Sequence, residues 1–323
     1  MDVMRVLRKG SLVVGASALA ACGGGGGGSA GSDSAVALSC ELPDIPVYEL
    51  TLDPNDFENK TIQISGAEDV GNMLGIYSDV EAGFDLIEDV RTVLSNQNGD
   101  QLVCENDGTA TLSVSGSGSN ADERWLFNDC LVTTPDSDQV ILTGTYQSGE
   151  AITDQTGEWQ KREGYEIYND LSGVLVDSEG TRSFRIEGRS SLVFEVELGT
   201  DNGCVTEKVA GLEFEVGESY VALKDSNTSL KRIGSTTEIR IGGTLIGSSV
   251  GGYLKVSTPD PLVFVEPQNC PREGIISVSS EGEAQVLYGD SAGGTATGVA
   301  VWINGQTVQS SDDCQSVRVA PLY

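Results

Sequence analysis

The residue types able to do chemistry are unevenly supplied: the 323 residues include no histidine. That removes Ser-His-Asp and Cys-His nucleophilic catalysis, zincin-type metal centres and imidazole proton relays together. The segment Gly247-Ser248-Ser249-Val250-Gly251 matches the letters of a nucleophile elbow. An elbow needs a histidine base, and the flanking glycines fit a connection between strands. None of the seven lysines has a serine three positions before it, so a serine–lysine pair is not encoded either. Carboxylates remain. With 49 Asp and Glu, a pair at glycosidase separation can arise anywhere in a fold, so abundance assigns no catalytic residue.

Binding chemistry is thinner still. The segment Asp53-Pro54-Asn55-Asp56-Phe57-Glu58 offers oxygen ligands, but Phe57 stands where an EF-hand requires a side-chain oxygen, and no glycine occupies the sixth position. A turn explains the same residues, so no metal ligand is assigned and calcium stays a cofactor without a motif. Trp125, Trp159 and Trp302 could stack on sugars. Trp125 and Trp302 lie in apolar strand patterns and are expected in the core. Trp159 lies in the polar run Thr156 to Arg162, where a buried face is harder to supply, and is the candidate ligand-binding residue.

The N-terminus carries an address. Arg5, Arg8 and Lys9 form a positive region, and Leu12 to Ala18 a short apolar one, as in a signal peptide over residues 1–21. The apolar run is shorter than the roughly 20 residues a membrane-crossing helix needs. Leu19-Ala20-Ala21-Cys22 resembles the lipobox of bacterial lipoproteins, which implies acylation at Cys22. Two or three acyl chains give stable membrane attachment, at about 0.8 kcal/mol per buried methylene. Gly23 follows, rather than the aspartate that resembles an inner-membrane retention signal, so the resemblance implies the outer membrane. Residues 22–34 are the lipid cysteine and a Gly/Ser-rich tether with a span of about 20 Å. With its lipobox, polyglycine tether and cysteine-bearing body, the chain is similar to lipoproteins of marine and environmental proteobacteria. That resemblance carries no functional residue beyond Cys22.

Six cysteines remain: Cys40, Cys104, Cys130, Cys204, Cys270 and Cys314. The number is even, no C-x-x-C occurs, and an exported chain sits where disulfides persist. Fifteen connectivities are open. Local strand geometry favours Cys104 with Cys130, and the C-terminal segment favours Cys270 with Cys314, which leaves Cys40 for Cys204. Residues 1–21 hold three basic groups and one acidic group of the chain's 19 and 49, so the remainder carries 16 against 48, a net of −32. Nucleic acid and anionic headgroups are poor partners for such a surface.

The elements that must position any site read as strands. Leu192, Phe194, Val196 and Leu198 alternate with polar neighbours, as do Ala110, Leu112 and Val114, Phe184 to Ile186, Leu212 to Val216 and Ile239 to Ile241. Asn106-Asp107-Gly108, Glu179-Gly180, Asn202-Gly203 and Asn304-Gly305 punctuate them as turns. The expected fold is all-β, mainly an antiparallel meander, sandwich or barrel-like, with one short amphipathic helix near 79–94. Val80, Phe84, Ile87, Val90 and Leu94 form the apolar stripe of that helix. Two β-rich halves are expected, 35–150 with the helix and 151–323, divided near the polar stretch 148–163. The expected function is a non-enzymatic binding or structural module of the cell envelope, partnered by the membrane through its lipid and by an envelope protein, a glycan or a hydrophobic ligand. A carboxylate-dependent, glycosidase-like hydrolase and a carrier of a hydrophobic ligand are the alternatives.

Overall fold

A computed structural model describes residues 38 to 314, apart from 39, 68–69, 72–85, 96–101, 118–119, 201, 267–269 and 294–296. The expected signal peptide over 1–21, Cys22, the expected tether and residues 79–85 of the expected helix lie outside the described residues. Thirteen strands follow one another in a single antiparallel sheet whose spatial order is the chain order. They are β1 (Thr109–Ser117), β2 (Asn120–Thr133), β3 (Gln139–Thr156), β4 (Trp159–Asp177), β5 (Gly180–Glu197), β6 (Gly203–Val216) and β7 (Ser219–Ile233), then β8 (Thr236–Gly247), β9 (Gly252–Val265), β10 (Glu273–Ser280), β11 (Gly282–Gly289), β12 (Val299–Ile303) and β13 (Gln306–Ser311). The fold is the all-β meander expected. It is one open sheet, and the polar stretch 148–163 is the end of β3, a turn and the start of β4.

Several strands are longer than their alternation suggests because bulges interrupt it. Asp129 in β2, Asp170 in β4 and Asp225 in β7 adopt left-handed backbone conformations, as do Gly144, Gly188 and Gly243 in β3, β5 and β8. The pairing register slips beside these residues. Each bulge bends its strand and turns the following side chains to the other face. In β2 the buried set passes from Cys130 and Val132 to Trp125 and Phe127, from even to odd positions. Gly144 shows why the crease is tight: a Cβ there would stand 2.2 Å from the Asp170 carbonyl oxygen.

The creased sheet curls so that buried residues from β2 to β12 join one core. Residues 86–95 are helical and place Ile87, Val90 and Leu94, all at most 1 % exposed, in that core. Residues 40–64 wrap the sheet. Residues 40–58 cross its outer face, where Leu52 and Phe57 pack on Tyr220, Ala222 and Ile246. Residues 60–64 then round the strand ends, with bridges Thr61 to Tyr253 and Gln63 to Glu281, and Ile64 enters the inner core.

This strap is fixed at two places. Disulfides join Cys40 to Cys204, Cys104 to Cys130 and Cys270 to Cys314, the pairs expected, and the first ties the start of the strap to β6. Glu213, also on β6, is fully buried (0 % exposed) on the outer face. Its Oε1 accepts from the Thr51 amide at 2.6 Å and from the Tyr48 and Thr51 hydroxyls at 3.1 Å each. Its Oε2 accepts from the Leu52 amide at 2.7 Å and the Tyr220 hydroxyl at 3.0 Å. A buried carboxylate persists only where its lone pairs are filled in this way. Glu213→Ala leaves five donors without their acceptor. It is expected to lower the unfolding free energy by about 3 kcal/mol in urea titrations and to open residues 41–58 to limited proteolysis.

Candidate functional site

Two polar constellations stand out, one on each face of the sheet. On the inner face Arg91, from the helical segment, reaches three partners. It donates to Glu88 at 2.8 Å, to Glu123 at 3.2 Å and to the Tyr146 hydroxyl at 3.0 Å, with its guanidinium 4.5 Å from the centre of the Tyr146 ring. Tyr146 and Tyr168 in turn donate to the two oxygens of Glu166, at 2.8 and 3.1 Å, and the Trp125 indole donates to Glu123 at 3.2 Å. Burial pushes the Glu88 and Glu166 carboxyls above their ordinary range, against the opposing pull of Arg91 on both. Raised carboxyls mark hydrolase sites, but here both oxygens of Glu166 are engaged by tyrosines. The arrangement docks the helix on the sheet.

The outer face carries a groove of about 630 Å³ between the strap and β3 to β5. Glu41 to Asp44 form one wall, held by Cys40–Cys204 and by the Thr206 hydroxyl donating to the Glu41 carbonyl at 2.8 Å. Ala151, Val193 and the Lys161–Glu163 ion pair, 3.3 Å apart, line the floor with Tyr165. A second depression of about 360 Å³ lies toward β1, and Asp122 and Tyr165 line both.

Tyr165 at this junction has an unusual seat. In register it faces Gly149 on β3, which faces Asp122 on β2. The Tyr165 hydroxyl donates to Asp122 at 3.1 Å, so the side chain spans two strands. It does so across Gly149, where a Cβ would stand 2.5 Å from the ring. The aromatic ring fills the space of a missing side chain, the arrangement known as rescue of a sheet glycine. Its hydroxyl is held against the sheet, and burial, then Asp122, raise its pKa.

The sequence candidates fall elsewhere. Trp159 opens β4, half-buried, on the face that carries Lys161, Glu163 and Tyr165. It does not line the groove, and six residues of strand put it about 20 Å from Tyr165. Trp125 is buried in the core. Asp53 accepts from the Asn55 and Glu58 amides, and Glu58 pairs with Lys224 at 2.7 Å, so the segment considered for calcium is a turn locked to β7. Cys270, Asp313 and Cys314 group closely, but both cysteines are in a disulfide and offer no thiolate. Tyr165 escaped sequence reading because its partners, Gly149 and Asp122, are defined only once strand register is known.

No known family model matches the chain, and neither curated proteins nor solved structures include a significant match. The site therefore stands on its own geometry.

The inner network predicts a pH dependence of stability. Glu88 and Glu166 have folded-state pKa values above their ordinary 4.5, so the folded state holds protons that the unfolded state releases. Their contribution is complete below that value and is lost as pH rises through the raised pKa values. Glu166→Gln is expected to flatten that descending limb in urea titrations from pH 4 to 7.

Proposed function

We infer that this chain is a lipid-anchored, non-enzymatic module of the outer membrane that binds a neutral glycan chain in the outer-face groove. The observation that carries the reading is the Tyr165 ring, laid across Gly149 with its hydroxyl fixed by Asp122 at the junction of two depressions. An aromatic face held in advance stacks on a sugar ring with little ordering cost. Asp122, Glu163 and Lys161 supply acceptors and a donor for hydroxyl groups. The groove is open and shared between two depressions, which suits an extended chain better than a compact ligand.

Charge agrees. A chain at −30 repels anionic polymers and leaves neutral saccharides untouched. Carriage of a hydrophobic ligand fits less well, because the inner face is filled by its own side chains and the helix. Hydrolysis fits less well because the raised carboxyls of the inner network are engaged, Glu88 by Arg91 and Glu166 by Tyr146 and Tyr168. The lipobox at Leu19 to Cys22 and the Gly/Ser tether support the anchor and its address.

Calorimetric titration with soluble hexasaccharides of glucose and of N-acetylglucosamine tests the binding. Wild-type protein is expected to bind at least one of them. Tyr165→Ala should weaken that binding about tenfold, while Trp159→Ala should leave it unchanged. Absence of heat with every saccharide, or equal binding by Tyr165→Ala, overturns the glycan reading. The anchor is tested separately: Cys22→Ala should move the protein from the membrane pellet to the soluble fraction.

A further inference from the structure

Cys40 is bonded to Cys204, the second residue of β6, with the two Cα atoms 5.6 Å apart. The chain from Cys22 therefore reaches the body at one end of the sheet, the end that holds the β3–β4, β5–β6, β7–β8 and β9–β10 connections. These four are tied into one rim. The Leu198 amide donates to the Glu158 carbonyl, the Gly234 amide to the Asn202 side chain at 2.8 Å, and the Glu266 amide to the Ser235 carbonyl at 3.0 Å. Along the rim Trp159 pairs with Glu197, and Ile233 with Thr236, which pairs with Val265. Ile233 is 54 % and Leu198 42 % exposed, and Trp159 and Val265 are half-buried. Trp159 on β4 and Ile233 on β7 lie about 10 and 5 Å to either side of β6. Apolar groups thus flank the place where the chain arrives.

Charge is thinned at the same place. Glu197 turns into its own hairpin, accepting from the Thr200 hydroxyl at 2.9 Å and the Asn202 side-chain amide at 2.7 Å, and Glu266 pairs with Arg232 at 2.9 Å. Between β3 and β9, Glu158 is then the remaining acid among the described rim residues. One row in, Lys161, Glu195, Lys231 and Glu238 alternate in sign on either side of Cys204. The opposite end differs: Asp136, Glu179, Glu218 and Glu281 stand exposed at its β2–β3, β4–β5, β6–β7 and β10–β11 turns. In a chain at −30, the rim is the end that lipid phosphates repel less.

We propose that this rim is a membrane-docking surface, on which the body rests against the headgroups of the bilayer that holds Cys22. The proposal rests on the anchor reading above. The Gly/Ser-rich composition of residues 23–34 gives a span of about 20 Å, which keeps the rim near the surface that carries the lipid. Trp159, Leu198 and Ile233 suit the interface, where an indole and aliphatic groups meet headgroups, and Lys161 and Lys231 one row in can extend toward phosphates. So small a patch suffices because the anchor makes its contact intramolecular. Seated this way, the body holds Tyr165 about 20 Å from the surface.

Tryptophan quenching tests this, with the full chain purified from bacterial membranes and reconstituted into vesicles of phosphatidylethanolamine and phosphatidylcholine brominated next to the headgroup. The share of emission that Trp159→Phe removes should be quenched about twofold relative to unbrominated vesicles. Ile233→Asp should relieve that quenching while the protein still floats with the vesicles. Leu126→Asp, at an exposed leucine on β2, should leave it unchanged. Floating protein with unquenched Trp159, quenching indifferent to Ile233→Asp, or equal relief by Leu126→Asp overturns the docking proposal alone. Trp159 shielded from aqueous iodide yet untouched by bromine marks a second copy on the rim and also overturns it. Protein that does not float overturns the anchor reading, and the docking proposal with it.

Discussion

The curl of the sheet is the constraint on which everything else rests. Among the described residues, thirteen strands in chain order have no second sheet to pack against, so their apolar face must be buried by bending toward itself and receiving a helix. The bending is localised in the row of bulges at Asp129, Gly144, Asp170, Gly188, Asp225 and Gly243. Aspartate tolerates the left-handed conformation through local hydrogen bonds and glycine through its missing side chain. Without the row, Trp125 and Phe127 would lie on the face opposite to Cys130 and Val132. The inner core and the Arg91 network both need them on the same side.

The strap completes the outer face. Wherever β6 to β8 lack a covering layer, Leu52 and Phe57 supply one, and the buried Glu213 gathers the backbone of that segment onto the sheet. The same β6 therefore has two buried faces, one in the inner core and one, at Glu213, beneath the strap, and reads continuously as buried from Val209 to Phe214. The groove exists because the strap begins where it does. Cys40 is pinned at Cys204, so residues 41–44 stand beside β3 to β5 as a wall.

Much of this was legible in the sequence, and what was not has a common cause. Period-two alternation and the turn signals Glu179-Gly180 and Asn304-Gly305 mark real strands and hairpins. The short-range cysteine pairs join segments beside the strands: Cys104, before β1, bonds to Cys130 in β2, and Cys270, before β10, bonds to Cys314, after β13. Bulges defeat the same reading. Phe184 to Ile186 and Leu192 to Leu198 look like separate strands, yet most of both lies in β5, with Gly188 between them. The stretch 148–163 is polar because its strands expose polar groups on one face and build the groove with them. Glu213 and Tyr165 were invisible for another reason. Each is one acid or tyrosine among many until register sets Glu213 beneath residues 48–52 and Tyr165 across from Gly149.

The link between Cys40 and β6 also decides how this body resists force. Tension on the chain before Cys40 passes through a covalent bond into an interior strand, hydrogen-bonded on both sides along its length. Hairpins loaded at a terminal edge unzip one rung at a time, whereas a load entering β6 must shear two ladders together. A load applied before Cys40 therefore meets the sheet at an interior strand and not at either edge.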